Sequence, residues 1–191
     1  MGYRHKKSRR LWPSGLAILW FLTATSIGWS QNAPELLRRA TVLYDATNGS
    51  SAKSTVALTF DPECPVCKDA REELTRMSQS YRHVDFYFIL KQPNARITAA
   101  AHEYVEGVRC KLVLDNGIVH ELGARVMPEA FVFNEAGELI YSGAIDDYFY
   151  KLGRRRAKIS HRYVEEALKA IAEGRKPATT RIEPIGCFIE R

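Results

Sequence analysis

A chain of 191 residues, 46% hydrophobic and 26% charged, suffices for one domain with a real core and is short for two. Its formal charge of +6 suggests an acidic partner until the charges are located. Arg4, Lys6, Lys7, Arg9 and Arg10 stand in an N-terminal stretch without acids; removing those five charges from +6 leaves +1, and the case for nucleic acid goes with them.

The stretch "LWPSGLAILWFLTATSIGWS" (11–30) follows without a charge and ends on the small residues Gly28 and Ser30. A basic head, an apolar body and a small-x-small exit describe a secretory signal cut after Ser30. An uncleaved membrane anchor competes with this, since 20 uncharged residues reach across a bilayer. Dilution by Pro, Ser, Thr and Gly favours cleavage. Either way the basic cluster holds the N-terminus inside and places the rest in the periplasm or on the outer face of the cytoplasmic membrane. The expected division is a leader or anchor over 1–30, one α/β domain over 31–175 and a tail over 176–191.

Within the domain, "STVALTF" (54–60) reads as a strand buried on both faces, because it is rich in β-formers and free of charge. "DPE" turns the chain, and from Pro65 the period is helical, with Ala70, Leu74, Met77 and Tyr81 on one face. "VDFYFIL" (84–90) reads as a second central strand. "NARITAAAHEYV" (94–105) is a helix, "CKLVLD" (110–115) a short strand and "GIVHELGA" a helical return. "EAFVFNEAGELIYSGAID" (129–146) has the form of a hairpin turning at "NEAGE". The basic run "KLGRRRAK" (151–158) reads as a solvated loop rather than a binding patch. A last helix runs over 161–174, with Val164, Ala167, Leu168 and Ile171 inward and Gly174 as C-cap. The tail has no strong periodicity.

The chemistry gathers on four cysteines, which in an exported protein form or exchange disulfides. Cys64 and Cys67 stand where a strand ends and a helix begins. Cys64 takes the N-cap region and Pro65 the first helical position, where a missing N–H costs nothing. Orphan N–H groups and the positive end of the helix dipole then favour a Cys64 thiolate, with a pKa below the ~8.5 of a free cysteine. Cys67, one turn in, is shielded and able to close a small ring. Attack by Cys64 and release by Cys67 is a thiol–disulfide exchange cycle.

Other uses of these thiols rank lower. Zinc tetrathiolate sites use two close pairs, whereas Cys110 and Cys187 are isolated. A c-type haem site wants histidine where Lys68 stands. A purely structural C-x-x-C ring is too short to stabilise much. Cys110 reads as a core thiol, and the five histidines show no ligand spacing. No cofactor or metal is implied.

With "CPVC", "RCKLVLDNGIVHELGA" and "RVMPEAFVFNEAGELIYSG" in place, the chain over about 50–172 resembles the thioredoxin superfamily, and more narrowly the exported redoxins related to TlpA and ResA. The resemblance implies a thioredoxin-like α/β fold: a central mixed sheet flanked by helices, with the redoxin-type extra strand and helix carried by residues 109–124. It implies thiol–disulfide oxidoreductase activity, cysteine-containing protein substrates and a redox partner protein. It also implies a cis Met127–Pro128 bond that brings Pro128 beside Cys64 and shapes a substrate groove. "CPVC", "MPEAFV", "SGAIDD" and "GCFI" resemble a bacterial redoxin-domain subgroup, some of whose members lack the second cysteine of the first motif.

The chain departs from thioredoxin in two places. The buried carboxylate six residues before the first cysteine is replaced by Leu58, so proton transfer needs another group, for which Glu129 is the candidate against a plain surface role. The P-x-x-x-T-x-x-C pattern of peroxiredoxins is also missing, with Ala57 and Asp61 in place of Pro and Thr, which disfavours a peroxidase of that kind. A thioredoxin-fold binding or chaperone module without turnover is the alternative from another class. Cys187, in "EPIGCFIER", has two readings: a third redox thiol that receives the disulfide from Cys64, or a structural partner of Cys110.

Overall fold

The computed structural model describes residues 33–46, 54–91, 94–115 and 117–190; the leader and its proposed cut lie outside them. In chain order the elements are α1 (Ala33–Arg39), β1 (Val42–Asp45), β2 (Ser54–Phe60), α2 (Pro65–Ser80), β3 (Val84–Leu90), α3 (Ala95–Val105), β4 (Lys111–Leu114), α4 (Ile118–Glu121), β5 (Val126–Met127) and β6 (Glu129–Asn134). Then follow β7 (Leu139–Gly143), β8 (Phe149–Lys151), β9 (Arg154–Arg155), α5 (Tyr163–Ala172), β10 (Arg181–Ile182) and β11 (Cys187–Phe188).

Seven strands form one mixed sheet in the order β1-β4-β3-β2-β6-β7-β10. β2, β3 and β4 run parallel, joined through α2 and α3, and β6 and β7 follow as an antiparallel hairpin. β2 is buried at all seven positions because it lies mid-sheet with helices on both faces. Its alternation divides the core in two. Val56, Leu58 and Phe60 join Phe86, Phe88 and Leu90 under α2, α3 and α5. Ala57 joins Tyr87, Ile89, Phe131 and Phe133 under α1 and α4. With β4 and α4 as the extra strand and helix, this is the thioredoxin-like α/β fold that the sequence implies.

The expected elements appear, trimmed at their ends: the strand over 110–115 is Lys111–Leu114, and the return at 117–124 is the single turn Ile118–Glu121. The basic run at 151–158 is not a plain loop. It carries part of the exposed two-stranded ribbon β8–β9. The tail, too, holds structure that its lack of periodicity conceals. β10 pairs in parallel with β7 at the sheet edge, and β11 pairs antiparallel with β5.

Two glycines make these tail contacts feasible. A Cβ at Gly143, whose φ is +128°, would stand 1.8 Å from the Ile182 carbonyl oxygen. A Cβ at Gly186 would stand 2.1 Å from the Met127 oxygen. At each place backbone packs on backbone too closely for any side chain. Among the described residues no helix is long and apolar enough to cross a membrane, and no His/Cys/Asp/Glu group could hold a metal ion.

Candidate functional site

The end of β2 and the start of α2 present Cys64. Its backbone is extended (φ −66°, ψ 123°), its carbonyl accepts the Lys68 N–H at 3.0 Å, and Pro65 opens the helix. No acid occupies the first turn of α2, although the Asp61 carboxylate, which accepts the Glu63 N–H at 2.7 Å, stands just before it. Glu63, just before it, is engaged by Arg96 at 3.0 Å on the surface.

Facing Cys64 is the corner between β5 and β6, where the Met127–Pro128 peptide bond is cis. The Cys64 sulfur lies 3.5 Å from the Met127 carbonyl oxygen. Into this corner the tail brings Cys187, opposite Met127 in the β11–β5 pairing. The two sulfurs are joined: Cys64 and Cys187 form a disulfide across 123 residues, with Cα atoms 6.3 Å apart.

Cys67 remains a free thiol and is completely buried, as is Cys110. It faces the core because it shares the inward side of α2 with Leu74 and Met77. Burial pushes the Cys67 thiol up to about 12, against a hydrogen bond from the Asp61 backbone that works in the opposite direction. Burial likewise raises Cys110 to about 12. At neutral pH neither thiol supplies appreciable thiolate.

Glu129 is fully buried rather than a surface strand residue. Opposite Thr59 on β2, it projects to the face covered by α1 and α4, whereas Cys64 and Cys67 belong to the cluster under α2. Its carboxylate accepts the Arg125 N–H at 3.0 Å and pairs with the Arg181 guanidinium at 3.2 Å. Its own N–H donates to the Thr59 hydroxyl at 3.1 Å, and that hydroxyl donates to the Val126 carbonyl at 3.0 Å. Glu129 therefore ties the Pro128 corner to the root of the tail, and the structure does not bring it together with the cysteine pair. Arg181 and Thr59 escape a reading of the sequence because their partners lie 52 and 67 residues away, with no motif to join them.

A cleft of about 710 Å³ opens beside Pro128. Val66 and Ala70 of α2, Ile145 and Phe149 after β7, and Ile182 and Ile185 of the tail give it apolar walls. Asp146 stands on its lining; burial pushes the carboxyl up to about 6, although it accepts the Tyr148 N–H at 2.8 Å. The tail thus forms one wall of a cleft that Pro128, next to the Cys64 corner, also lines.

No family model matches the chain, and neither does any curated protein. Among solved structures, an uncharacterized conserved protein from Geobacillus kaustophilus is similar at 21% identity, over 80% of this chain and 88% of that one, with a TM-score of 0.64. A hypothetical protein from Sinorhizobium meliloti 1021 is similar at 20% identity, over 78% and 90%, with a TM-score of 0.65. Both establish the likeness of fold alone. A secreted Mycobacterium tuberculosis disulfide oxidoreductase aligns over 46% of this chain and 66% of its own at 19% identity, and its TM-score of 0.41 adds no weight.

Proposed function

We propose that the protein is an exported thiol–disulfide oxidoreductase of the redoxin type, with Cys64 as its nucleophile. The observation that carries this reading is the disulfide itself: Cys64 at the opening of α2, beside Pro128, bonded to a cysteine on a short edge strand. After reduction of that bond, the Cys64 thiolate attacks one sulfur of a substrate disulfide, forming a mixed disulfide and expelling the other sulfur as a thiolate. The Cys187 thiolate then attacks Cys64, restores the 64–187 bond and releases the second substrate thiolate. Cys187 takes this resolving role from Cys67, whose burial withholds thiolate. Glu129 holds the Pro128 corner through Arg181. Met127 and Pro128 border the place where the substrate lies.

The deciding experiment is the reduction potential of the 64–187 pair in glutathione and dithiothreitol buffers, read by alkylation and mass. Exchange that disappears in Cys64→Ser supports the assignment, and a bond that never equilibrates sinks it. In that event the cleft favours a binding module without turnover. The export reading rests on the leader over 1–30, and its check is separate. A protein cut after Ser30 loses Trp12, Trp20 and Trp29, so the purified mature form shows no tryptophan emission, and a full-length mass in the membrane fraction indicates an anchor.

A further inference from the structure

We infer that Cys187, not Cys64, is the sulfur through which an external dithiol enters, and that β11 with Phe188 is the surface on which that partner docks. The inference rests on the thiol-exchange reading and adds to it a direction and a second partner. Three independent observations lead to it.

Access comes first. Cys64 keeps 5% of its surface, closed in by the Pro128 corner and the tail, and Cys67, turned to the core, keeps none. Cys187 is half-buried and sits on a strand that pairs only with β5, so its other edge is unpaired within the sheets described.

The leaving group points the same way. A thiolate that attacks a disulfide expels the sulfur better able to carry negative charge. Cys64, at the N-terminal end of the 16-residue helix α2, is that sulfur; Cys187, on an edge strand, has no helix behind it. Attack on Cys187 expels Cys64 into its stabilising place, whereas attack on Cys64 expels the poorer leaving group.

The third observation is Phe188, which is 82% exposed, more than any other large apolar side chain described as exposed. It stands beside Cys187 on β11, where it covers nothing of its own fold. An unpaired strand edge and an uncovered aromatic ring next to the reactive sulfur fit a cysteine-bearing segment in extended form, which adds as a strand and packs an apolar side chain on the ring.

The exchange balances in two steps. A partner thiolate forms a bond to the Cys187 sulfur as the Cys187–Cys64 bond breaks, leaving the Cys64 thiolate. The partner's second thiolate then attacks its own first sulfur, closing the partner disulfide and releasing Cys187 as a thiolate that takes a proton from solvent. The partner is oxidised by two electrons, and the 64–187 bond is reduced by the same two. Substrates reduced at Cys64 and the dithiol that recharges the protein therefore meet different sulfurs.

The test uses the full mature protein, oxidised, with glutathione as the first probe. Samples are quenched at early times with excess alkylating agent and mapped by peptide mass. Glutathione on Cys187, with Cys64 alkylated, is the expected result. Glutathione on Cys64 with Cys187 alkylated overturns the direction of entry and leaves the exchange reading standing. An intact bond with no adduct overturns the exchange reading itself. The docking surface is read separately with reduced thioredoxin as a protein dithiol. In Phe188→Ser the ratio of its rate to the glutathione rate should fall by about fivefold or more. An unchanged ratio removes Phe188 and β11 from recognition.

Discussion

The central strands and the tail strands of this molecule are held by opposite means. β2 is buried at all seven positions and paired on both sides, so its place follows from the apolar area it hides. β10 and β11 are two residues each, with little apolar burial; backbone pairing, the Arg181–Glu129 ion pair and one covalent bond keep them in place. The first arrangement resists change in solution conditions and carries no switch. The second responds to electrons. On the proposed exchange reading, lodging the resolving thiol on the weakly buried element lets the site open without disturbing the core.

Four substitutions break or sharpen that contrast, taken from the largest effect to the smallest. Phe88→Ala empties the face under α2 and should lower global stability by about 3–5 kcal/mol in urea unfolding, with the 64–187 bond still formed in the folded fraction. Glu129→Gln leaves Arg181 with a weaker partner and should cost about 2 kcal/mol in the same assay. If the tail then yields first, limited proteolysis after Arg181 should accelerate ahead of any loss of the core.

Gly186→Ala should act on the tail alone. The new Cβ would meet the Met127 oxygen at 2.1 Å, so β11 must lift from β5, and the 64–187 bond should become easier to reduce. A rise of about 30 mV in its potential corresponds to about 1.4 kcal/mol, whereas the urea midpoint of the reduced protein should hardly move. Equal shifts in both measurements would mean that tail and core are one cooperative unit.

Asp146→Asn gives the smallest effect and the opposite sign. Its carboxyl titrates near 6, above the ordinary carboxylate value of about 3.9, because burial favours the neutral form. The stability linked to that neutral form is fully present below about pH 4 and is lost as pH rises through 6. Replacing it with Asn should therefore raise stability at pH 7 by about 1 kcal/mol, after allowance for its partial exposure, and flatten the profile between pH 4 and 6. Thermal unfolding across that range is the measurement.

The same contrast governs what can be read without coordinates. The runs 54–60 and 84–90 declare themselves because a strand buried on both faces reads as a run of apolar and β-branched residues almost without charge. The start of α2 is equally open to reading, since Cys64, Pro65 and the spacing of Leu74 and Met77 each carry a local rule. α1, β1 and the β8–β9 ribbon carry weaker signals, being short and half-exposed. β10 and β11 carry almost none, because two residues held through their backbones need no pattern of side chains. The sulfur that Cys64 chooses is a matter of distance, and a sequence separation of 123 conceals it. The spacing of Cys64 and Cys67 suggests a pair; the inward side of α2, which also carries Leu74, turns Cys67 toward the core instead.

The bond between Cys64 and Cys187 also makes the oxidised chain a ring. Every element from α2 to β10 lies inside it, β11 closes it at Cys187, and among the described residues α1, β1 and β2 remain outside, β2 joined to the ring by pairing with β3 and β6. A single cut of the backbone anywhere between residues 65 and 186 leaves an oxidised molecule in one piece and a reduced molecule in two. Closing a loop of this length also shrinks the unfolded ensemble, by about 5 kcal/mol in the chain-entropy model. The two electrons that would set this protein's chemical readiness thus also set its lifetime: the oxidised form is the durable one, and every reduction is a short exposure to proteases and to unfolding.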